Sequence, residues 1–168
     1  TPQTGPYRGI QGSVLPALTL ASAVLLVAGG AQARRSRVLA TPTVTPMPQL
    51  VLALRNPDPT LRAEAAWEVG TRELRDAYGP LRGLLVDPVP RVRRNAAFAL
   101  GRLGLADATP LLLNRLIRET DADVRAELAL ALGRLRSAPA RSSLRYLARH
   151  GTLVERSQAI TALGYLGN

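Results

Sequence analysis

The sequence of 168 residues contains no cysteine, a single histidine and few aromatic residues. The absence of cysteine excludes disulfides, zinc sites built on thiolates and thiol nucleophiles. The single histidine, His150, cannot form a metal site by itself. The neighbouring carboxylates Asp121 and Asp123 lie in a turn before a predicted helix, where helix capping accounts for them, and no phosphate-binding glycine loop is present. We therefore predict a protein that is not an enzyme, with no catalytic, cofactor-binding or metal-binding residues.

Lysine is also missing, so all 22 basic residues are arginine, and the net charge is +10. The first 48 residues hold four of these arginines and no acidic residue. A basic balance is compatible with nucleic acid, anionic lipid or an acidic protein surface as a partner. In the rest of the chain the arginines alternate with acids, as in LRAEAAWEVGTRELRD. That alternation is typical of solvated helix faces and argues against nucleic-acid binding.

Charge is absent from the 25 residues between Arg8 and Arg34, which are mostly apolar. A helix of this length extends about 37 Å, more than the ~30 Å thickness of the hydrocarbon core of a bilayer. Because three arginines follow the segment and one precedes it, the positive-inside rule places the remainder of the chain in the cytoplasm. We therefore predict a single-pass membrane protein that contacts the lipid bilayer through residues 13–33.

Two other interpretations of this apolar segment stay open. The AQA triplet at 31–33 follows an apolar run, as does the cleavage site of a secretory signal peptide. Alternatively, the segment is a buried helix of the soluble domain, although it lacks a polar face. The predicted division of the chain is an N-terminal tail (1–12), a transmembrane helix (13–33), an arginine-flanked Pro/Thr-rich linker (34–48) and a repeat domain (49–168).

A phrase of ten residues recurs four times in the repeat domain, with its final glycines 31, 32 and 31 positions apart. In each copy the apolar positions fall at i, i+4, i+5 and i+8, which is one stripe of a helix. Turns rich in Asp, Pro and Thr precede the copies, and a second apolar run follows each of the first three glycines. The unit is therefore a helical hairpin. The copies are LRAEAAWEVG (61–70), VRRNAAFALG (92–101), VRAELALALG (124–133) and ERSQAITALG (155–164).

A hairpin of 31 or 32 residues cannot bury its apolar stripe alone, so neighbouring hairpins must stack. This predicts an all-α fold, an α-solenoid of about three and a half hairpins preceded by the single transmembrane helix. PQLVLALRN (48–56) fits the second helix of a hairpin whose first helix is missing, and the last copy is a first helix alone. We interpret the recurring glycines as left-handed turns that end the first helices; they are Gly70, Gly101, Gly133 and Gly164.

The pattern D-x-x-x-[VL]-R-x-x-A-A-x-x-[VL]-G, present here as DPTLRAEAAWEVG, resembles the HEAT-like repeats first named from phycobilisome lyases. The resemblance covers about residues 50–168. It implies that a recurring arginine pairs with the turn acid of its own or a neighbouring repeat, although an anion-binding ladder is an alternative. The chain departs from the pattern at Val89 and Thr152, where the acid is expected, and at Glu155, where an apolar residue is expected. The ladder arginines are Arg62, Arg93, Arg125 and Arg156.

The resemblance also implies that the second helices line the inner surface of the solenoid. Side chains there would suit an acidic protein surface or anionic lipid headgroups. The predicted partner-binding residues are Arg75, Tyr78, Arg82, Arg115, Arg118, Arg145 and Arg149.

These observations favour a non-enzymatic, membrane-anchored scaffold that serves as an accessory subunit of a multi-subunit membrane complex and binds a protein partner through its solenoid. One alternative, by analogy with the family, is a bilin lyase-like protein or a photosynthesis-associated assembly chaperone. Another is a secreted repeat protein whose signal peptide is cleaved.

Overall fold

The structure is a computed structural model that describes residues 45–167. Thr45–Asn168 forms one compact unit, and its described residues contain eight α-helices and no strand. A short 3-10 turn precedes each of α3, α5 and α7. The helices are α1 (Met47–Ala53), α2 (Pro59–Thr71), α3 (Tyr78–Leu84), α4 (Pro90–Leu103), α5 (Thr109–Arg118), α6 (Ala122–Arg134), α7 (Arg141–His150) and α8 (Leu153–Tyr165).

The even-numbered helices contain the four recurring phrases and are the first helices of the hairpins, whereas the odd-numbered helices are the second helices. The first helices pack side by side, α2 against α4, α4 against α6 and α6 against α8. Each second helix packs on the first helix that follows it in the chain. The core consists of the alanine and leucine stripes of both sets. This arrangement confirms the predicted all-α solenoid of helical hairpins.

Each first helix begins where its opening turn supplies oxygen acceptors for the free backbone N–H groups. The Asp58 and Asp121 side chains cap α2 and α6, and Thr152 caps α8 in a capping box with Glu155. Val89, at the start of α4, has no capping side chain of its own. There the Asp87 carboxylate accepts the Val89 N–H at 2.9 Å.

The interpretation of the recurring glycines as left-handed turns is wrong. Gly70, Gly101, Gly133 and Gly164 lie inside the first helices. The left-handed residue comes three positions later in every copy. A Cβ at Gly101 would lie 2.8 Å from the Ala131 Cα, so the glycine is needed where two first helices cross. The left-handed residues are Glu73, Gly104, Arg136 and Gly167.

The prediction of a single-pass membrane protein is corrected. Within residues 45–167 no helix is long and apolar enough to cross a bilayer. The longest, α4 with 14 residues, extends only about 21 Å, against a hydrocarbon core of ~30 Å. The predicted helix at 13–33, the tail before it and the competing interpretations of both lie outside the described residues. The membrane localisation, the cytoplasmic placement and the lipid partner are therefore withdrawn.

Candidate functional site

The first ladder arginine joins the opening turn of its own hairpin to that of the next. The Arg62 Nε and Nη2 donate to the two carboxylate oxygens of Asp87 at 2.7 and 3.1 Å. Asp87 lies two residues before the N-cap of α4. The Arg62 Nη1 donates to the carbonyl oxygens of Asn56 and Pro57, in the turn before α2. One guanidinium group thus fixes the spacing between two successive hairpins.

We call each ladder arginine with its acid a rung. The second rung, Arg93 with Glu119, repeats this geometry in a more buried setting. The Arg93 Nε and Nη2 each donate to a Glu119 carboxylate oxygen at 2.8 Å, and the side chains are 9% and 0% exposed. The Arg93 Nη1 donates to the carbonyl oxygens of Asp87 and Pro88. The Glu119 carboxylate also accepts from the guanidinium of Arg115 at 2.7 Å. Breaking such a buried pair leaves an uncompensated charge and costs about 3–5 kcal/mol.

The third rung uses a different acid. The Arg125 Nε donates to Glu155, which lies inside α8 at N3 rather than in the turn before it. The position that holds Asp87 and Glu119 in the earlier hairpins is His150 in this one. The Glu155 carboxylate also accepts the Thr152 N–H. Glu155 therefore replaces the acid that the turn lacks, which explains why an apolar residue is absent at this position.

The sequence predicted the arginines of these rungs but not their acids. Asp58 and Asp121 cap their helices and are not the partners of the ladder arginines. Asp87 and Glu119 each lie two residues before the N-cap of the following first helix, and this spacing identifies them as the partners. The same position in the last hairpin is His150, which is not an acid. The guanidinium of the fourth arginine, Arg156, makes no hydrogen bond or ion pair with any of the described residues.

For Glu119 and Glu155, burial acts on the pKa in one direction and hydrogen bonds act in the other, with the hydrogen bonds giving the net shift. Burial alone would raise the pKa of Glu119, but donation from Arg93, the Asp121 backbone and Arg115 lowers that pKa to about 2. Burial by itself would also raise the pKa of Glu155. The hydrogen bonds from Arg125 and Thr152 outweigh burial, so the pKa of Glu155 is lowered. The hydrogen bond to Glu119 raises the pKa of Arg93. These groups are ionised and internally paired, so the structure supports a stacking role for the ladder.

The predicted partner-binding residues divide into two groups. Tyr78 is half-buried beneath the guanidinium of Arg82, and Arg115 is engaged by Glu119. The others are exposed arginines whose guanidinium groups have no hydrogen-bond or ion-pair partner within residues 45–167. These exposed arginines, which we call the second-helix arginines, are Arg75, Arg82, Arg118, Arg145 and Arg149.

Charge is distributed unequally between the two sets of helices. The four second helices contain six arginines and no acidic residue, whereas the first helices contain eight arginines and five acidic residues. Large apolar side chains accompany the arginines, with Ile117 at 73% and Tyr146 at 64% exposure. Arginine beside exposed aromatic and apolar side chains is typical of protein-binding surfaces.

A cleft of about 580 Å³ opens between α5 and α7, beside these exposed apolar groups. Leu116, Ile117 and Leu147 line it, together with the Tyr146 and His150 rings, whose centroids are 4.8 Å apart. The third rung forms part of its wall, and the Arg125 side chain is 31% exposed there. This cleft could not be predicted from the sequence, because its walls come from two hairpins.

The first helices carry a second set of aromatic contacts, which join successive hairpins. The Trp67 and Phe98 rings stack with centroids 4.3 Å apart, and the guanidinium of Arg134 lies over the Phe98 ring. Each pair joins residues of successive hairpins, so these rings contribute to stacking. Among residues 45–167, no group of acidic and histidine side chains could hold a metal ion.

The stacked hairpins, the interhelical glycines and the arginine rungs together define an α-solenoid of helical repeats. A family model described as HEAT repeats matches residues 47–133, about half of the chain. The chain therefore belongs to the HEAT-repeat family.

Twenty chains of solved structures match this fold. One is the complex of CpcE and CpcF of phycocyanin lyase from Nostoc sp. PCC7120, with 22% sequence identity and a TM-score of 0.57. The match covers 78% of this chain and 69% of that chain. At this identity the likeness concerns the fold alone. No curated protein matches the chain.

Proposed function

We propose that this protein is a non-enzymatic scaffold that binds the acidic surface of a protein partner through its second helices. The observation that carries the proposal is the charge of those helices, with six arginines and no acid. The ladder arginines Arg62, Arg93 and Arg125 are engaged in contacts between hairpins, but the guanidinium groups of the second-helix arginines are exposed and have no hydrogen-bond or ion-pair partner among the described residues. They can therefore approach carboxylates of a partner without breaking a bond of the solenoid.

Charge reversal on the second helices tests this function. The test variant carries Arg118→Glu, Arg145→Glu and Arg149→Glu. The control variant carries Arg91→Glu and Arg94→Glu, at two exposed arginines of α4, and Arg136→Glu, at an exposed arginine just after α6. Each tagged chain is purified from its native cells, and the proteins that accompany it are quantified by mass spectrometry. We expect a partner in fixed proportion with the wild type and the control, and its loss with the test variant. Equal recovery with both variants, or recovery of the chain alone, would contradict the proposal.

A second candidate function is that of a bilin lyase-like protein or assembly chaperone of the photosynthetic machinery. It is favoured by the fold shared with the phycocyanin lyase complex and by the cleft between α5 and α7, which combines apolar walls with Arg125 and His150. The purified chain is mixed with a bilin, and the visible absorbance is recorded. A saturable spectral shift that Ile117→Glu abolishes would favour this candidate. An unchanged spectrum would contradict this candidate, and the scaffold would then be the remaining proposed function.

A further inference from the structure

The third rung lacks one bond that the first two rungs share. In those rungs the Nη2 of the arginine donates to the turn acid, Asp87 or Glu119. The Arg125 Nε donates to Glu155, and its Nη1 reaches the Glu119 carbonyl oxygen at 3.3 Å. The Arg125 Nη2 makes no hydrogen bond with the described residues. The difference arises because the turn position that holds the acid in the earlier hairpins is His150 here.

The guanidinium of Arg125 is also more accessible than those of the other rungs. Its side chain is 31% exposed, against 14% for Arg62 and 9% for Arg93. The exposed part lies in the wall of the cleft between α5 and α7. Because the cleft separates two consecutive second helices, it is not a surface on which another hairpin of the solenoid would stack.

Apolar side chains accompany this cation in the cleft. Ile117 is 73% exposed and Tyr146 is 64% exposed. The two carboxylates of the wall, Glu119 and Glu155, are 0% and 1% exposed, and each accepts hydrogen bonds from an arginine and from backbone N–H groups. The carboxylates are therefore satisfied internally, and the formal charge that the cleft offers to a bound group is positive.

These features specify a carboxylate beside an apolar group, since a carboxylate is what binds the same nitrogen in the first two rungs. Residues 1–44 contain no Asp or Glu and cannot supply it. We propose that the cleft binds a segment of the partner protein in which an Asp or Glu lies beside a large apolar residue. The carboxylate pairs with Arg125, and the apolar side chain packs on Ile117 and Tyr146. The inference rests on the proposed function, whose acidic partner it describes more closely.

The surroundings of the cleft favour a protein segment over a small anion. Arg118 and Arg149, two of the second-helix arginines, are adjacent in sequence to the cleft residues Ile117 and His150. Their guanidinium groups are exposed and have no partner within residues 45–167. A bound segment can place further acids near these arginines, whereas a small anion would be confined to the cleft.

Selection of peptides from a random library tests the cleft before the partner is known. Peptides displayed on phage are selected on the whole protein, and the enriched sequences are labelled and titrated by fluorescence anisotropy. We expect them to share an Asp or Glu next to a large apolar residue. Replacing that acid by its amide should weaken binding at least about tenfold. The absence of enriched peptides, or enrichment of peptides without such a pair, would overturn the proposal.

The variant His150→Glu restores the acid that the turn carries in the two earlier hairpins. Its carboxylate can accept from the Arg125 Nη2, so we expect the Tm to rise while peptide binding falls at least about tenfold. His150→Gln, a neutral change, should retain binding. Asn114→Glu adds the same charge on α5 at a residue that does not line the cleft, and it should also retain binding. Binding that His150→Glu leaves unchanged would overturn the proposal.

The apolar wall is tested separately, so that the result does not depend on the third rung. Ile117→Ser changes an exposed side chain, and the fold should therefore be preserved. We expect peptide binding to weaken at least about threefold, because the apolar contact is lost. Unchanged binding would contradict the assignment of the peptide to this cleft.

Other occupants of the cleft give different results. Self-association in sedimentation that His150→Glu abolishes would assign the cleft to a second copy of this chain. Binding of a bilin that His150→Glu abolishes, without any selected peptide, would assign it to a small molecule. Either result would overturn the proposal.

Failure of this inference is distinguishable from failure of the proposed function, because none of these variants alters a second-helix arginine. A cellular partner that is lost with the charge reversal of the second helices but retained with His150→Glu would overturn the inference and leave the proposed function intact. Recovery of no cellular partner would contradict the proposed function, whereas the peptide selection would still decide whether the cleft binds such a segment.

Discussion

At the scale of the residue, a ladder arginine binds both a carboxylate and backbone carbonyl groups with one planar guanidinium. In the first two rungs its Nε and Nη2 bind a carboxylate of the next hairpin while its Nη1 binds the turn of its own. Lysine could not make this set of bonds, because it offers a point charge rather than a planar fork. The position of the arginine was predictable from the period. Its acid was not, because the turn supplies Asp87, then Glu119, then His150, and Glu155 compensates from another position.

The charge on Glu119 makes stability depend on pH. Because its pKa in the folded state, about 2, lies below the ordinary value of 4.5, its contribution is fully present above pH 4.5 and is lost as the pH falls towards 2. We expect the free energy of unfolding to fall by about 3 kcal/mol over this interval through Glu119. Urea unfolding at stepped pH measures it. Glu119→Gln should flatten the curve, whereas Glu73→Gln, at an exposed ion pair, should not.

The left-handed position after each first helix gives a second prediction. Arg136 has φ of 51° and is exposed, whereas Gly104 adopts the same conformation in the preceding hairpin. Since a non-glycine residue is strained there, Arg136→Gly should raise the free energy of unfolding by about 0.5–1 kcal/mol. Gly104→Ala should lower it by about 1 kcal/mol, because its Cβ would meet no other atom and only the backbone would be strained. Chemical denaturation of both variants checks the pair, and a destabilised Arg136→Gly would contradict it.

At the scale of the element, the first helices approach closely enough that glycine is required at their crossings. The sequence shows a glycine near the end of each helical phrase, which is also where a helix-ending turn is expected. Only the neighbouring helix reveals the difference, because the atoms that exclude a side chain at Gly70 belong to Phe98 and Ala99. The existence and type of these helices were predictable from periodicity, whereas the function of their glycines depended on contacts between hairpins.

The two ends of this glycine series give a matched test. Gly133→Ala would place a Cβ 2.5 Å from the Ala162 Cα, so α8 must shift, and we expect a loss of about 2–3 kcal/mol in the free energy of unfolding. Gly164→Ala makes the same change where the space is open, and should stabilise α8 by about 0.5–1 kcal/mol. Thermal and urea unfolding of both variants measures the contrast. Equal effects would mean that the crossings are not close-packed.

At the scale of the whole molecule, the sequence period determined the architecture and left the binding surfaces open. Four copies of one phrase predict a solenoid, because no hairpin can bury its own stripe. The cleft between α5 and α7 arises only when hairpins are assembled. The arginines of the second helices were visible in the sequence, but nothing there distinguished the paired Arg115 from the unpaired Arg118.

The partner-binding surface predicts a dependence on ionic strength. Interactions between exposed charges are screened within about 8 Å at physiological salt, so binding through the second-helix arginines should weaken as salt rises. Recovery of the partner from native cells is therefore compared at 50 and 500 mM salt, together with thermal unfolding under the same conditions. We expect the partner to be lost and the unfolding temperature to change little, because the buried rungs are screened less. Retention of the partner at high salt would indicate an apolar interface instead.

The central claim of this account is that the arginine rungs couple successive hairpins, and a double-mutant cycle on Arg62 and Asp87 tests it most directly. This pair lies between two hairpins, and no other ion pair of the described residues shares it. The free energy of unfolding is measured for the wild type, Arg62→Gln, Asp87→Asn and the double variant. We expect a coupling energy of at least about 1 kcal/mol, because the bonds are bidentate and largely buried. A coupling energy near zero would contradict the account, since the two hairpins would then be stacked by apolar packing alone.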